Sequence, residues 1–418
     1  LKILGAGHCY RSPFTDYRLP FTLTAPLFTP GIYTRPFWLL CISSLLFFAS
    51  FNMIVPELPS FLSSLGGAEH KGLIISLFTV TALISRPFSG KLADRIGRKP
   101  VIMAGSLVCF VCSLMYPLLT TVFAFLFLRL VHGFSTGFTP TGQTAYIGDI
   151  IPAERRGEAM GLLGTAGTLG MAGGPALGGW LSTLFSLDVM FYCSSLFAII
   201  SSLIIFSIKE TITEKHPVSW KLLKIEKKDL FEPRVLAPCL VMGLCAYAYG
   251  NLFTIMPDFG SLLGIQNKGL LFTYFTMASF LIRLAGGKAS DRFGRVKVLR
   301  IATAFMTLAM VWIALADTKL MLIVGAFMYG LAQGATSPTL LAWAADLSDP
   351  EHKGRGVASL YIFMEFGIGV GAFLSGLIYA DKTPMILVTF LISGLLSGIA
   401  FLYLLWVRRR LVEPRFGG

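Results

Sequence analysis

The chain has 418 residues, of which 55% are hydrophobic and only 14% charged, with a mean hydropathy of +0.72. Soluble proteins carry about 25% charged residues, and a chain this apolar could not cover its own core, which excludes a soluble enzyme. The net charge of +13 suggests nucleic acid as a partner, but the placement of the charges argues against it.

Residues 1–35 read as a cytoplasmic tail to which no function attaches. The first clear apolar segment begins only near Pro36, which is not the pattern of a secretory signal. Pro36–Phe61, Gly72–Gly90 and, at the far end, Pro384–Val407 are long enough to cross a bilayer, which takes about 20 apolar residues. They are apolar all round, whereas strands of a membrane barrel alternate, so the spans are helices. Twelve spans are expected, leaving only short connections and no folded soluble domain. The chain divides into an N-terminal tail (1–35), a six-helix bundle (36–208), a charged linker (209–234), a second six-helix bundle (235–407) and a C-terminal tail (408–418). A short interfacial helix is expected in the linker around Trp220–Leu230.

Of the 35 Lys and Arg, 28 fall in the tails and in the loops after even-numbered spans. Only Lys71, Lys268, Lys319 and Lys382 fall in the opposite loops, while Arg86, Arg129 and Arg283 lie within spans. This asymmetry is the positive-inside pattern and places both termini in the cytoplasm. It sets topology and suits an anionic inner leaflet. The seven cysteines form no framework. Cys109 and Cys112, spaced CxxC inside an apolar span, read as packing residues.

The chain repeats itself at an offset of 197 residues. Gly90 and Lys91 recur as Gly287 and Lys288, Asp94 and Arg95 as Asp291 and Arg292, and Gly97 and Arg98 as Gly294 and Arg295. Arg86 recurs as Arg283, Asp149 as Asp346, and Gly170 and Gly174 as Gly367 and Gly371. Two related six-helix halves are a transporter architecture, with the substrate site near the midplane between them.

The loop after span 2 reads GKLADRIGRK (90–99) and the loop after span 8 reads GKASDRFGRV (287–296). The glycines permit a tight turn. Asp94 and Asp291 can accept from free amides at a helix start. Asp149 and Asp346, at the inner ends of spans 4 and 10, are expected to pair with these basic loops. Each loop reads either as a capped turn or as a charge latch that differs between two rocking states. GKLADRIGRK resembles the signature loop of the major facilitator superfamily, complete in the first half and degenerate in the second. The resemblance covers about 36–407 and implies an all-α membrane fold of two six-helix bundles working by alternating access. It implies a conformational latch of Gly90, Asp94, Arg95, Gly97 and Arg98, their counterparts Asp291, Arg292 and Arg295, and the basic pair Arg155 and Arg156.

Span 5 carries Gly161, Gly170, Gly174, Pro175, Gly178 and Gly179. Gly170, Gly174 and Gly178 share one face, where small residues let helix backbones touch, and Pro175 removes a backbone donor. The spacing is similar to the antiporter signature of drug:proton antiporters, which favours export. In span 4, Arg129 and Gly133 resemble a motif in which the Arg is implicated in proton coupling. His132 replaces the usual Gln and could titrate or simply hydrogen-bond.

Intramembrane acids are default transport-site candidates. Glu365, about nine residues into span 11, is the first candidate for the proton carrier. The alternatives for it are a neutral hydrogen bond or a salt bridge to Arg129. Glu57 is the second, unless wetted at the outer mouth. Asp258, near the outer end of span 7, is expected to be solvated. The resemblance implies a cavity lined by spans 1, 4, 7 and 10, with Asn52, Gln143, Tyr146, Tyr247, Tyr249, Asn251, Tyr329 and Gln333 as candidates and Tyr361 and Met364 of span 11 beside them. Such a lining would accept bulky amphipathic molecules, cations among them.

The reading is therefore a proton-coupled secondary transporter, an efflux antiporter for amphipathic drugs or metabolites. The alternatives are a symporter importing a nutrient, or an exporter of sugars or metal chelators. No HExxH, GxSxG, Walker loop or metal-spaced Cys/His set occurs. The expected partners are a small-molecule substrate, protons and the lipid bilayer. No nucleic acid, metal or cofactor is expected, and the proton gradient is the drive. A monomer in the bacterial inner membrane, multi-pass with both termini cytoplasmic, completes the expectation.

Overall fold

Apolar side chains face outward and small polar ones inward. Phe123, Leu320, Phe206 and Leu395 are 80%, 70%, 67% and 63% exposed, while Ser43, Ser50, Ser113 and Ser201 are fully buried. Water would not tolerate that surface, but a hydrocarbon solvent favours it. The computed structural model describes residues 33–152, 155–212, 232–348 and 353–411, with side chains described except at 157, 284–289, 291, 353–355 and 408–411. The tails and the expected helix at Trp220–Leu230 lie outside the described residues.

Twelve helical passes run through the described residues. Ten carry an apolar stretch long enough to cross a membrane, and an eleventh has a shorter apolar run, Gly269–Arg283. The remaining one is the glycine-rich helix Arg156–Leu184, 29 residues long. In the first half the helices are α1 (Arg35–Ile54), α2 (Leu58–Ser64), α3 (Lys71–Ile96), α4 (Arg98–Met115), α5 (Val122–His132), α6 (Phe134–Ile150), α7 (Arg156–Leu184) and α8 (Leu187–Ser207). In the second they are α9 (Leu236–Leu262), α10 (Gly269–Phe293), α11 (Arg295–Ala314), α12 (Lys319–Leu347), α13 (Lys353–Tyr379) and α14 (Met385–Leu411). Span 1 comprises α1 and α2, parted by a 3-10 turn at Val55–Glu57. Pro56 and Pro59 lack the amides that would continue the α-helical ladder there. Span 4 comprises α5 and α6.

The two halves pack alike. The pairs α1–α7, α1–α8, α4–α8 and α3–α6 recur as α9–α13, α9–α14, α11–α14 and α10–α12. Polar side chains tie the buried seams, as expected where no hydrophobic force acts between helices. Ser43 and Ser201 each donate to the other's backbone carbonyl, as do Ser50 and Ser194. Asn251 does the equivalent work between α9 and α14, donating to Thr389 O and Ser393 Oγ. The halves meet chiefly where α3 lies on α13 and α7 lies on α10, two contacts that the repeat interchanges.

Candidate functional site

The seam between the halves begins, at the face opposite the basic loops, with a cluster of charges. Lys71 Nζ lies 2.6 Å from Asp258 Oδ2 and 2.6 Å from Asp381 Oδ1, and sits 5.5 Å from the Tyr379 ring centroid. Lys268 Nζ donates to Ser60 Oγ at 2.5 Å and lies 3.3 Å from Glu57 Oε2. Asp258 is thus 12% exposed in an ion pair rather than solvated, and Glu57 is 8% exposed in another rather than wetted. Both lysines were legible as loop residues, but their partners lie 187 to 310 residues away, so no local spacing reports them. Nearby, Asn267 Nδ2 donates to Ala176 O and Thr273 Oγ1 to Ala172 O. The halves are closed on each other at this face.

Deeper in the seam, Arg86 Nη2 of α3 meets Glu365 Oε1 of α13 at 2.6 Å. Glu365 lies roughly 18 Å along α13 from its start, near the middle of the helix, at 1.5 Å per residue. The pair is secluded but not sealed: the side chains are 27% and 7% exposed. The Arg86 guanidinium also stands 5.2 Å from the Tyr361 ring, one turn before Glu365. The salt bridge to Arg129 is therefore not made, because Arg129 points into the first half.

Arg129 is fully buried there. Its Nε donates to Ile74 O at 3.0 Å, its Nη1 to Tyr116 Oη at 3.3 Å, and its guanidinium lies 4.6 Å from the Phe78 ring. His132, also fully buried, shares Tyr116 Oη through Nδ1 at 3.3 Å, with its Nε2 3.4 Å from Cys109 Sγ. No carboxylate joins this cluster among the described residues. A guanidinium without a counter-ion is held here by a carbonyl, a phenol and an aromatic face.

At the basic face the latch residues gather twice. Arg98 Nε meets Asp149 Oδ2 at 3.0 Å, and Arg295 Nε meets Asp346 Oδ2 at 3.0 Å. Arg98 also pairs with Asp94 one turn earlier, and Arg295 Nη1 donates to Ser290 Oγ at 2.7 Å. Asp291's side chain lies outside the described ones. Arg95 and Arg292 are exposed, the latter near the Phe293 ring. The turns are made by Gly97 and Gly294, at φ +122° and +88°, backbone that glycine alone adopts freely. The helix start is capped differently from expectation. Glu210, not Asp94, accepts from the Arg98 and Lys99 amides at 3.0 and 3.1 Å, while Asp94 is occupied by the Arg98 side chain. Arg155 lies 3.7 Å from Glu158, and Arg156 Nε donates to Ile151 O, so both make contacts at the start of α7.

The α7 glycines do what their spacing requires. A Cβ on Gly170, Gly174 or Gly178 would meet the carbonyl oxygen of Leu45, Ala49 or Met53 in turn, so α1 lies backbone to backbone on this face. Gly179 faces Asn267, Pro175 faces Gly269 of the other half, and Gly161 faces open space.

The cavity candidates separate. Tyr249 and Tyr361 lie within electrostatic reach of Arg283, and Tyr249 also of Glu365. Tyr329 is buried beside Phe275, and Gln333 follows one turn on and is partly exposed. Met364 is partly buried next to Glu365. Tyr247 is buried, with a Cβ on Gly371 meeting its backbone. Others are engaged elsewhere in the described structure. Asn52 donates to Phe48 O within its own helix, Asn251 ties α9 to α14, and Tyr146 donates to Lys209 O at the basic face. Gln143 is buried, and its Nε2 has no hydrogen-bond partner. Sequence could place these residues on the right helices but could not rotate them.

The duplicated charge clusters, the inside-out surface and the interchanged helix contacts point to one family, and its sequence pattern is present. The family model of the Major Facilitator Superfamily matches residues 40–268 and 265–416. The chain belongs to that superfamily. Among curated relatives, the multi-drug resistance efflux pump PmrA of Streptococcus pneumoniae is 29% identical over 341 residues, covering 77% of this chain and 84% of PmrA. The multidrug resistance protein MdtG of Salmonella typhi is 29% identical over 350 residues, covering 80% of this chain and 86% of MdtG. A solved structure of a point mutant of the nucleoside transporter NupG superposes with a TM-score of 0.73 at 17% identity, over 89% of this chain and 99% of that one. That likeness speaks for the fold. As a superfamily member the chain is a multi-pass membrane transporter for a small-molecule substrate and not an enzyme.

Proposed function

We propose that this transporter is a proton-coupled efflux antiporter for amphipathic drugs or metabolites, working by alternating access. The observation that carries the proposal is the Arg86–Glu365 pair, which ties α3 of one half to α13 of the other near the middle of α13. When ionised, Glu365 holds Arg86. Breaking a secluded ion pair by removing one partner costs about 3–5 kcal/mol. A proton does this reversibly, since a neutral carboxyl is no counter-ion for the guanidinium. The charge clusters at the opposite face can then part and the halves rock. The likeness to the efflux pump PmrA and to the multidrug resistance protein MdtG supports export, as does the glycine seam of α7.

The proposal includes a monomer in a bacterial inner membrane with both termini cytoplasmic, driven by the proton gradient with no cofactor and no nucleic-acid partner. The 28 basic residues of the tails and even-numbered loops support that orientation. The test is pH-driven movement of a panel of dyes and antibiotics in proteoliposomes. Uphill substrate movement opposite to protons, reduced at least about tenfold in Glu365→Gln, is expected; a tenfold loss is about 1.4 kcal/mol of coupling. Gln can keep a hydrogen bond to Arg86 but cannot titrate. Uphill movement unchanged in Glu365→Gln would move the proton site elsewhere, and movement with the protons would make the protein a symporter.

A further inference from the structure

The repeat that aligns Arg86 with Arg283 also aligns Glu365 with residue 168, which is Thr. The interface pair α3–α13 and its counterpart α10–α7 therefore differ in charge at mid-helix, where α13 carries Glu365 and α7 carries Thr168. Arg86 has its carboxylate, and Arg283 has none. Thr168 does not take that part, since its hydroxyl donates to Gly164 O of its own helix at 2.8 Å. Among the described residues Arg283 makes no hydrogen bond and no ion pair, yet it is exposed.

Arg283 does not face lipid. The outward stripe of α10 is Leu270, Tyr274, Met277 and Leu281, spaced as one helical face. Arg283 is two residues past Leu281, about 200° round the helix. It continues the face on which Gly269 and Thr273 touch α7 of the other half. The phenols of Tyr249 and Tyr361 lie within its electrostatic reach, and Tyr361 also flanks Arg86. The Arg86 Nε is itself buried without a hydrogen-bond partner. The middle of the seam thus holds two guanidiniums, one carboxylate and an aromatic wall.

An isolated cation inside a membrane protein is expensive and marks a ligand path. A guanidinium matches the two oxygens of a carboxylate, sulfonate or phosphate in a forked geometry. We infer that Arg283 is the substrate anchor, and that the transported molecules are amphipathic organic anions whose acidic head pairs with Arg283 while the apolar body lies against Tyr249, Tyr361 and Met364. This deepens the efflux reading and rests on it. It narrows the sequence expectation of a lining open to cations to one that selects against them.

The experiment uses purified full-length protein and two probes with the same apolar body, 1-naphthylacetate and 2-(1-naphthyl)ethylammonium, titrated calorimetrically. The acetate is expected to bind at least tenfold tighter than the ammonium. Arg283→Gln should weaken the acetate at least tenfold and leave the ammonium unchanged, Arg283→Lys should recover part of the loss, and Arg283→Glu should reverse the preference. Equal binding of the two probes to wild type, or acetate binding unchanged in Arg283→Gln, overturns the inference. Thermal unfolding of each variant in detergent separates lost binding from lost fold, and Arg283→Lys keeps the test decisive if the neutral variant does not fold. The efflux reading fails separately: acetate binding that depends on Arg283 without pH-driven flux of any compound keeps the anion site and removes the exporter. PH-driven export of cationic dyes that persists in Arg283→Gln does the reverse.

Discussion

Glu210 is the residue on which the basic face turns. It lies just past α8, yet both its carboxylate oxygens reach the first amides of α4, and Oε1 also accepts from the Thr211 amide at 2.9 Å. The first turn of a helix leaves its amides unpartnered, and a carboxylate there answers both the hydrogen-bonding need and the helix dipole. Glu210→Ala is expected to destabilise the protein by about 0.5–2 kcal/mol, the usual worth of such a cap, seen as a lower thermal midpoint in detergent. Glu210→Gln should recover part of it, because one amide oxygen still accepts. A midpoint unchanged in Glu210→Ala would mean that water replaces the carboxylate without cost. This cap was not legible in the sequence, since 111 and 112 residues separate Glu210 from the amides it serves. The Arg98–Asp149 and Arg295–Asp346 pairs were legible, because both span 51 residues and the repeat prints the same pattern twice. Arg86 and Glu365 fall between these cases. Each stood out as a charge within a span, but their partnership over 279 residues belongs to the assembled halves.

At the scale of helices, spacing carried more. Gly170, Gly174 and Gly178 recur every fourth residue, and the structure sets all three against the α1 backbone. The second half repeats the seam, where a Cβ on Gly367 or Gly371 would meet the carbonyl of Gly243 or Tyr247. Gly164, on the same helix, faces open space. Two substitutions on one helix should therefore differ in outcome. Gly174→Leu must push α1 and α7 apart, and the expected result is loss of monodisperse protein on size exclusion, or of transport where protein survives. Gly164→Ala meets nothing and should stabilise α7 by about 0.5–1 kcal/mol through helix propensity, read as an unchanged or higher thermal midpoint. A folded and active Gly174→Leu would show that the seam is looser than backbone contact. Element boundaries were less legible than faces. The break of span 1 at Val55–Glu57 was signalled by Pro56 and Pro59, but which cavity candidates turn inward depends on helix rotation. All-round apolar helices encode that weakly, because their lipid and protein faces are equally hydrophobic.

For the whole molecule, the two halves pack alike, and the proposed function rests on where they differ. The opposite face balances Lys71 and Lys268 against Glu57, Asp258 and Asp381. Among the described residues the middle holds Arg86 and Arg283 with Glu365. A site with surplus positive charge has a consequence for energetics that a neutral one lacks. If a monovalent organic anion leaves as one proton enters, both movements carry charge in the same sense, and two elementary charges cross per cycle. Each charge is worth about 2.3 kcal/mol per 100 mV, so an interior-negative potential of 100 mV should contribute about 4.6 kcal/mol to export. Exchange of a monovalent cation for one proton would move no net charge and feel no potential. Proteoliposomes with equal pH on both sides and a potassium diffusion potential set by valinomycin distinguish the two. With the interior negative, efflux of 1-naphthylacetate is expected to accelerate several-fold and to slow when the potential is reversed, and Arg283→Gln should lose the acetate flux together with its voltage dependence. A response of about half that size would mean that the substrate crosses neutral, by carrying a second proton or as a neutral form, since one charge per cycle then remains; efflux indifferent to the potential would mean that the cycle moves no net charge, which rules out exchange of an anion for a proton.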